Sequence, residues 1–239
     1  PGWHWYLDRL DPDPYLSREY APLEKRIIAY TGYARAIPQI AADIRANLKT
    51  PLPKTYVERG ISGFGGFASF FRSDVPKVFA AVKDAELQKQ LTEANDAAAK
   101  AMEGLKEWLV SERKNATEEY ALGPALFSQM VEQTEGVQVS LEELRAAGEK
   151  DLERNLAAMR AACGKYLPGG TVPACMAKMN AHKPQGGTVK SATAQLDELR
   201  KFVAEKRLVS IPTDQQASVK ESPPYNAANF AYINIPGPY

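Results

Sequence analysis

At 239 residues the chain has room for one large domain or two small ones, with a hydrophobic core of ordinary size. Thirty Lys and Arg against twenty-nine Asp and Glu leave a net charge of +1, so no global field exists to draw nucleic acid or an anionic membrane, which argues against a nucleic-acid partner. Hydrophobic residues make up 44% and charged ones 25%, the balance of a globular protein, and no apolar run approaches the roughly 20 residues a transmembrane segment needs.

The first fifteen residues mix Trp, Tyr, Asp and Pro without a steady period and read as a loop or ragged helix end packed by its aromatics. They show no initiator Met, basic n-region or apolar h-region, so a targeting segment is expected to have been removed or to lie upstream. Ser17 then reads as the cap of a helix whose stripe runs through Leu23, Ile27, Ala34 and Ile37. Pro38 removes a backbone donor and is expected to kink or divide that helix before Ile40, Ile44 and Leu48 continue it. Residues 56–79 contain Gly60, Gly63 and Gly66 at every third position, with Phe64, Phe67 and Phe71 spaced for another face. The stretch lacks the Gly-Lys-Ser/Thr ending of a phosphate loop and no strand precedes it, so it reads as a helix whose small face admits a close neighbour.

Asp84 is placed to cap the longest periodic run, residues 85–114, with Leu87, Leu91, Ala94, Ala98, Met102, Leu105 and Leu109 on its buried side. A further helix enters through Gly123-Pro124 and leaves at Gly136. Ser140-Leu-Glu-Glu143 is a capping-box pattern opening the next one, whose polar side carries Glu149, Lys150, Glu153 and Arg154, a solvated face of mixed sign. A short helix around residues 175–181 and a last one over 188–206 follow. Residues 208–211, 217–221 and 230–235 then read as three short strands separated by proline-containing turns. The expected fold is therefore mainly α, a long-helix array with a small antiparallel β-sheet near the C-terminus. Residues 1–207 form the helical scaffold and 208–239 the start of the sheet, within one continuous domain. Because the apolar run Phe230 to Ile235 leads into nothing after Tyr239, the chain is expected to be a piece of a larger protein, truncated at both ends.

Cys163 and Cys175 bracket a turn-rich insert. They are either a disulfide, which implies an oxidising compartment and hence a periplasmic or secreted protein, or two buried free thiols on adjacent helices. His4 and His182 are the only histidines, so a zinc site built on these cysteines lacks partners. Neither histidine falls in a His-Glu-x-x-His arrangement, no Gly-x-Ser-x-Gly elbow is present, and the acidic residues sit on helix faces matched by Lys or Arg. On these residues the chain alone carries no catalytic group and binds no metal.

Several stretches nevertheless form a specific combination: Ser17-Arg-Glu-Tyr-Ala-Pro-Leu-Glu-Lys-Arg-Ile27, Tyr33-Ala-Arg-Ala-Ile-Pro38, Ala46-Asn-Leu-Lys-Thr-Pro-Leu-Pro-Lys-Thr-Tyr-Val57, Gly63-Phe-Gly-Gly-Phe67, Val209-Ser-Ile-Pro212, Glu221-Ser-Pro-Pro-Tyr225 and Asn229-Phe-Ala-Tyr-Ile-Asn-Ile-Pro-Gly-Pro-Tyr239. Together they resemble the central portion of the domain-of-unknown-function-885 family, large, mainly helical bacterial proteins with the character of zinc metallopeptidases. The resemblance implies a zinc-binding His-Glu-x-x-Pro-Gly-His helix downstream of this chain. It assigns no zinc ligand or catalytic residue to any position here. It also implies that a strand near the metal helix offers its edge to an extended peptide substrate, which makes Asn229, Tyr232 and Asn234 the candidate substrate-binding residues. The implied partners are the remainder of the polypeptide, zinc in the full-length protein and a peptide substrate. The reading of a different class is a non-catalytic helical scaffold or protein-interaction module that uses the exposed faces of its long helices.

Overall fold

The longest helix owes its start to one side chain. Asp84 accepts hydrogen bonds from the backbone N–H groups of Glu86 and Leu87, satisfying two of the donors a helix start leaves open, and the helix then runs Ala85–Glu112. The structure, a computed structural model, describes residues 10–227 and 233. These divide into two compact units, the first containing the chain to Tyr120 and the segment from Ser222, the second Ala121–Glu221.

In the first unit α1 (Asp13–Leu16) leads into α2 (Leu23–Asn47), α3 (Lys54–Ser73), the short α4 (Val75–Val78) and α5 (Ala85–Glu112). The long helix α5 packs against both α2 and α3. Its buried positions Leu91, Ala94, Ala98, Met102, Leu105 and Leu109 recur at three and four residues, so one continuous stripe faces the core. Ile27, Ala34, Ile37, Ala41 and Ile44 answer it from α2, and Phe64, Phe67 and Phe71 from α3. Truncating one of these phenylalanines to alanine removes on the order of 3–5 kcal/mol at such a site.

Two local expectations are revised. Ser17 does not open α2; it closes α1, its hydroxyl donating to the backbone oxygen and carboxylate of Asp13, while Pro22 precedes α2. The buried Arg26 donates to the carbonyls of Tyr15 and Leu16, so a cation takes the acceptors that the end of α1 leaves open. Pro38 does not divide α2, which runs unbroken through it. An interior proline costs about 3 kcal/mol in a helix, through its missing hydrogen bond and the clash of its ring with the preceding turn, and burial of Ile37, Ala41 and Ile44 on either side outweighs it.

Thr117 sits beside the start of α3, accepting from Lys54 N–H at 2.8 Å and donating to the Leu52 carbonyl at 3.0 Å. This isolated parallel bridge joins Pro53 to Thr117. Arg113 reaches back from the end of α5 and donates through Nε and Nη2 to both carboxylate oxygens of Glu58 on α3. A bidentate pair of this kind fixes orientation more than it adds stability at an exposed site.

One buried polar pair is incompletely satisfied. The Tyr30 hydroxyl donates to Asn95 Oδ1 at 2.7 Å, and both residues are buried, yet Asn95 Nδ2 has no hydrogen-bond partner among the described residues. Asn95→Leu alone is expected to strand the Tyr30 hydroxyl and cost about 1–3 kcal/mol, whereas Asn95→Leu combined with Tyr30→Phe removes all three polar groups and recovers that loss. Urea unfolding of the two variants checks this; equal destabilisation of both contradicts it.

The second unit contains α6 (Pro124–Glu135), α7 (Leu141–Tyr166), α8 (Val172–Ala181) and α9 (Thr188–Lys206). Gly136 ends α6 at φ 66°, a left-handed position that favours glycine, and Ser140 with Glu143 forms the full capping box at the start of α7. Helices α7 and α8 pack together, and Cys163 and Cys175 join them in a disulfide with Cα atoms 5.9 Å apart.

The antiparallel sheet expected near the C-terminus is absent: among the described residues there is no β-strand. Residues 208–211 and 217–221 are irregular, and 230–235 lie outside the described residues except Ile233, which is not in a strand. The apolar run Leu208, Val209 and Ile211 is exposed rather than half-buried, so it has no surface to lie on, and a lone pair of short strands is not stable without one. The connection between these two stretches, residues 213–215, is captured by a side chain. Arg200 on α9 donates to the carbonyls of Thr213, Asp214 and Gln215 and to the Asp214 carboxylate, which holds the segment without a ladder.

Candidate functional site

The glycines of α3 and the prolines before Tyr225 meet at one place in the first unit. Gly60 and Gly63 are buried, and Gly66 lies under the segment Pro223-Pro224-Tyr225, which closes in a single 3-10 turn over Pro224–Asn226. A Cβ at position 66 would stand 2.6 Å from the Pro224 carbonyl oxygen and from Tyr225 Cα, so only glycine lets this strap sit so close to the helix. The prolines suit the strap because they lack N–H donors and their restricted φ limits the freedom lost on docking.

Tyr225 locks the strap. Its ring stacks on Phe67 with centroids 4.2 Å apart and planes within 5°, meets Phe70 edge-on at 5.1 Å, and its hydroxyl lies 3.4 Å from Asp11 Oδ1. Such aromatic pairs contribute about 0.5–1.5 kcal/mol each beyond their burial. The strap delivers the chain to residues 229–234. Asn229, Tyr232 and Asn234, the three residues assigned to substrate, lie outside the described residues.

Tyr15, Tyr30 and Tyr33 form a ring cluster in the same unit, linked to the strap by the electrostatic interaction of Tyr33 with Tyr225. The Tyr33 ring lies 5.3 Å from that of Tyr15 and 5.6 Å from that of Tyr30, and its hydroxyl donates to the Leu10 carbonyl at 2.6 Å. Burial raises the Tyr30 phenol above its ordinary value. Burial, with smaller contributions from Tyr30, Tyr225, Asp11 and Tyr15, raises that of Tyr33. Both hydroxyls therefore stay protonated and act as donors, a positioning role rather than acid–base chemistry near neutral pH.

Elsewhere the ionisable groups are structural. Hydrogen bonds from Arg72 and Lys106 hold the Glu103 carboxyl below its ordinary value, and that from Arg113 does the same for Glu58. Among the described residues no three His, Cys, Asp or Glu side chains gather as metal ligands, and both cysteines are committed to the disulfide. The described residues do not make a zinc-binding set, and no metal ligand is assigned to them. The second unit has a surface cleft of about 580 Å³ lined by residues 207–211 and Ala204. Another, of about 410 Å³, lies beside the disulfide. Each holds one arginine and no carboxylate, so neither presents an acid–base pair.

The strap was half visible in sequence. The three-residue glycine spacing announces a close neighbour, and the Pro-Pro-Tyr motif stands out, but nothing in either stretch says that each is the other's partner. The contact yields a sharp contrast between adjacent glycines. Gly66→Ala is expected to destabilise the first unit by about 1–3 kcal/mol, because the new methyl meets backbone that cannot turn aside. Gly65→Ala meets only the flexible Lys106 side chain at 3.3 Å, and Gly104→Ala meets nothing within 4 Å. Both should be neutral or stabilising by up to about 1 kcal/mol through helix propensity. Thermal and urea unfolding of the three variants give the comparison; a Gly66→Ala protein as stable as the other two removes the account of the strap.

These features define a class: a mainly helical protein of two units, one organised by a glycine-face helix carrying a proline strap, the other stapled by a disulfide, with no helix among the described residues long and apolar enough to cross a membrane. Residues 4–239 match the family model described as "Bacterial protein of unknown function (DUF885)", and the chain belongs to that family. No curated protein and no solved structure matches it.

Proposed function

We propose that this chain is the helical scaffold of a zinc-dependent metallopeptidase, inactive alone, which in the intact polypeptide supports hydrolysis of peptide bonds. The observation that carries this reading is the family match over residues 4–239, taken with the zincin character that the family resemblance implies. In this proposal the zinc ligands and the catalytic Glu belong to sequence outside these residues. Zinc, when bound there, polarises the scissile carbonyl and activates water. The role of this chain is to hold the substrate-facing segment. The strap is fixed to α3 through Gly66 and Tyr225; in this proposal Asn229, Tyr232 and Asn234, which follow it in sequence, meet the extended peptide through main-chain and polar side-chain hydrogen bonds. The disulfide supports placing the protein in an oxidising compartment, periplasmic or secreted.

The second reading, a helical interaction module without chemistry, is favoured by one observation: in the second unit Leu126, Phe127, Leu152, Met179, Leu199 and Phe202 are all exposed. Expression of the whole gene separates the two. Bound zinc near one per chain, with chelator-sensitive cleavage of quenched fluorescent peptides, supports the first reading. A zinc-free product of the whole gene that cleaves nothing, with or without added zinc, overturns it and leaves the second.

A further inference from the structure

The near-zero net charge of the chain conceals a strong local segregation. From Arg154 to Leu196, forty-three consecutive residues contain Arg154, Arg160, Lys165, Lys178, Lys183 and Lys190 and not one Asp or Glu, leaving twenty-four basic and twenty-nine acidic side chains for the rest of the chain. All six cations are exposed, and among the described residues only Arg154 has a carboxylate partner, Asp151. The stretch begins in the C-terminal half of α7, takes in all of α8, and ends in the first half of α9, so it covers the end of the α7–α8 hairpin that the disulfide staples.

The same hairpin exposes apolar side chains among those cations. Met159, Cys163 and Tyr166 follow one stripe of α7, and Val172, Cys175 and Met179 one stripe of α8. The two stripes meet at the disulfide, where only the two half-cystines are buried; Met159, Tyr166, Met176 and Met179 remain exposed. Lys178 Nζ lies 4.5 Å from the centre of the Tyr166 ring and within 3.5 Å of the Tyr166 carbonyl oxygen, so a cation and an aromatic face are already paired at the surface. Arg160, with Leu156, Val172 and Pro173, lines the cleft of about 410 Å³ beside the staple.

We infer that the disulfide end of this hairpin, from Arg154 onward, is a docking surface for an anionic lipid bilayer. The charge is complementary to acidic headgroups, and the interleaved methionines and tyrosine are the kind of side chains that enter the headgroup region once cations bring a helix to it. Single-stranded nucleic acid would need free aromatic platforms, and the one aromatic here, Tyr166, is covered by Lys178. An acidic protein would use the cations equally well but gives no reason for the exposed apolar tips. This inference is independent of the peptidase reading.

The test is co-sedimentation of the 239-residue chain, oxidised, with vesicles of phosphatidylcholine alone or containing one third phosphatidylglycerol. Binding is expected to the anionic vesicles only and to weaken as salt is raised. Replacing Arg160, Lys165, Lys178 and Lys183 by glutamine should reduce it at least tenfold, and Met176→Ser with Met179→Ser should also weaken it. Helix content by circular dichroism confirms that both variants fold. If the glutamine variant loses helicity, the salt series and the methionine variant on the otherwise native surface decide. Failure to bind anionic vesicles, equal binding to neutral ones, or an unchanged glutamine variant overturns the inference. Full displacement from vesicles by a soluble acidic peptide at matched charge also overturns it, assigning the surface to an acidic protein.

Discussion

Raising the pH above about 10 is expected to unfold the first unit cooperatively, because it holds two phenols, Tyr30 in the core and the partly buried Tyr33 against it, whose ionisation in place is disfavoured. Tyr30 donates to Asn95 Oδ1 and Tyr33 to the Leu10 carbonyl, acceptors that would face a phenolate with oxygen lone pairs, and burial pushes both phenols well above their ordinary value. The folded state keeps these two protons while the unfolded chain releases them near pH 10. Stability is therefore fully present below about pH 10 and falls as pH rises beyond it, by about 1.4 kcal/mol per pH unit for each tyrosine. With both contributing, two pH units remove on the order of 5 kcal/mol, the scale of a whole domain's stability. Tyrosinate absorbance and far-ultraviolet circular dichroism followed together should show a late absorbance step coincident with loss of helix. Tyr33→Phe, and Tyr30→Phe made together with Asn95→Leu, should each move that step to higher pH. A smooth tyrosinate titration completed while the helices persist would show that the buried phenols are accessible and sink the prediction.

How much of this was legible in sequence depends on the range over which each feature is decided. Caps and terminators are local: Asp84, the Ser140 and Glu143 pair, Gly123 with Pro124 and Gly136 all stand where the sequence places them, because their function is completed within three or four residues. Of the two effects expected of Pro38, a kink or a division, the division does not occur: its local cost is real, and what outweighs it is the burial of Ile37, Ala41 and Ile44, which no short window contains. Residues 208–211 have the apolar, proline-bounded look of a strand, but a strand exists only with a partner, and among the described residues they have no ladder partner; Arg200 from α9 takes carbonyls of residues 213–215 instead. The Gly66 and Tyr225 contact failed for the same reason in reverse. Each half was noticed and the pairing across 159 positions was not encoded in either. The basic hairpin was visible in full, and was missed because net charge averages over distances much longer than the screening length that governs an encounter.

Breaking the Cys163–Cys175 disulfide is expected to unfold the α7–α8 hairpin, and the magnitude follows from what else is buried there. The bridge spans a sequence separation of 12, for which restriction of the unfolded chain is worth about 3 kcal/mol in the entropic model. In most domains apolar packing would hold the remainder. Here the two half-cystines are the only buried residues among the described residues of the second unit. Apart from Cys175 no side chain of α8 is buried, and at ten residues the helix is too short to persist unsupported in water. Its remaining ties are the Thr171 cap and the contact of Lys178 with Tyr166, both at the surface. Loss of the covalent link should thus leave α8 with too little burial to offset its ordering entropy. Hydrogen exchange read by mass spectrometry should show amides 172–181 losing nearly all protection on reduction, and equally in a double Cys→Ala variant. Amides of α2, α3 and α5, whose core contains no cysteine, should keep theirs. Undiminished protection of α8 after verified reduction would mean that contacts other than the sulfur bridge hold it. If protection is lost, the hairpin is folded only where the thiols are oxidised, so its basic, methionine-bearing surface is presented only in an oxidising compartment.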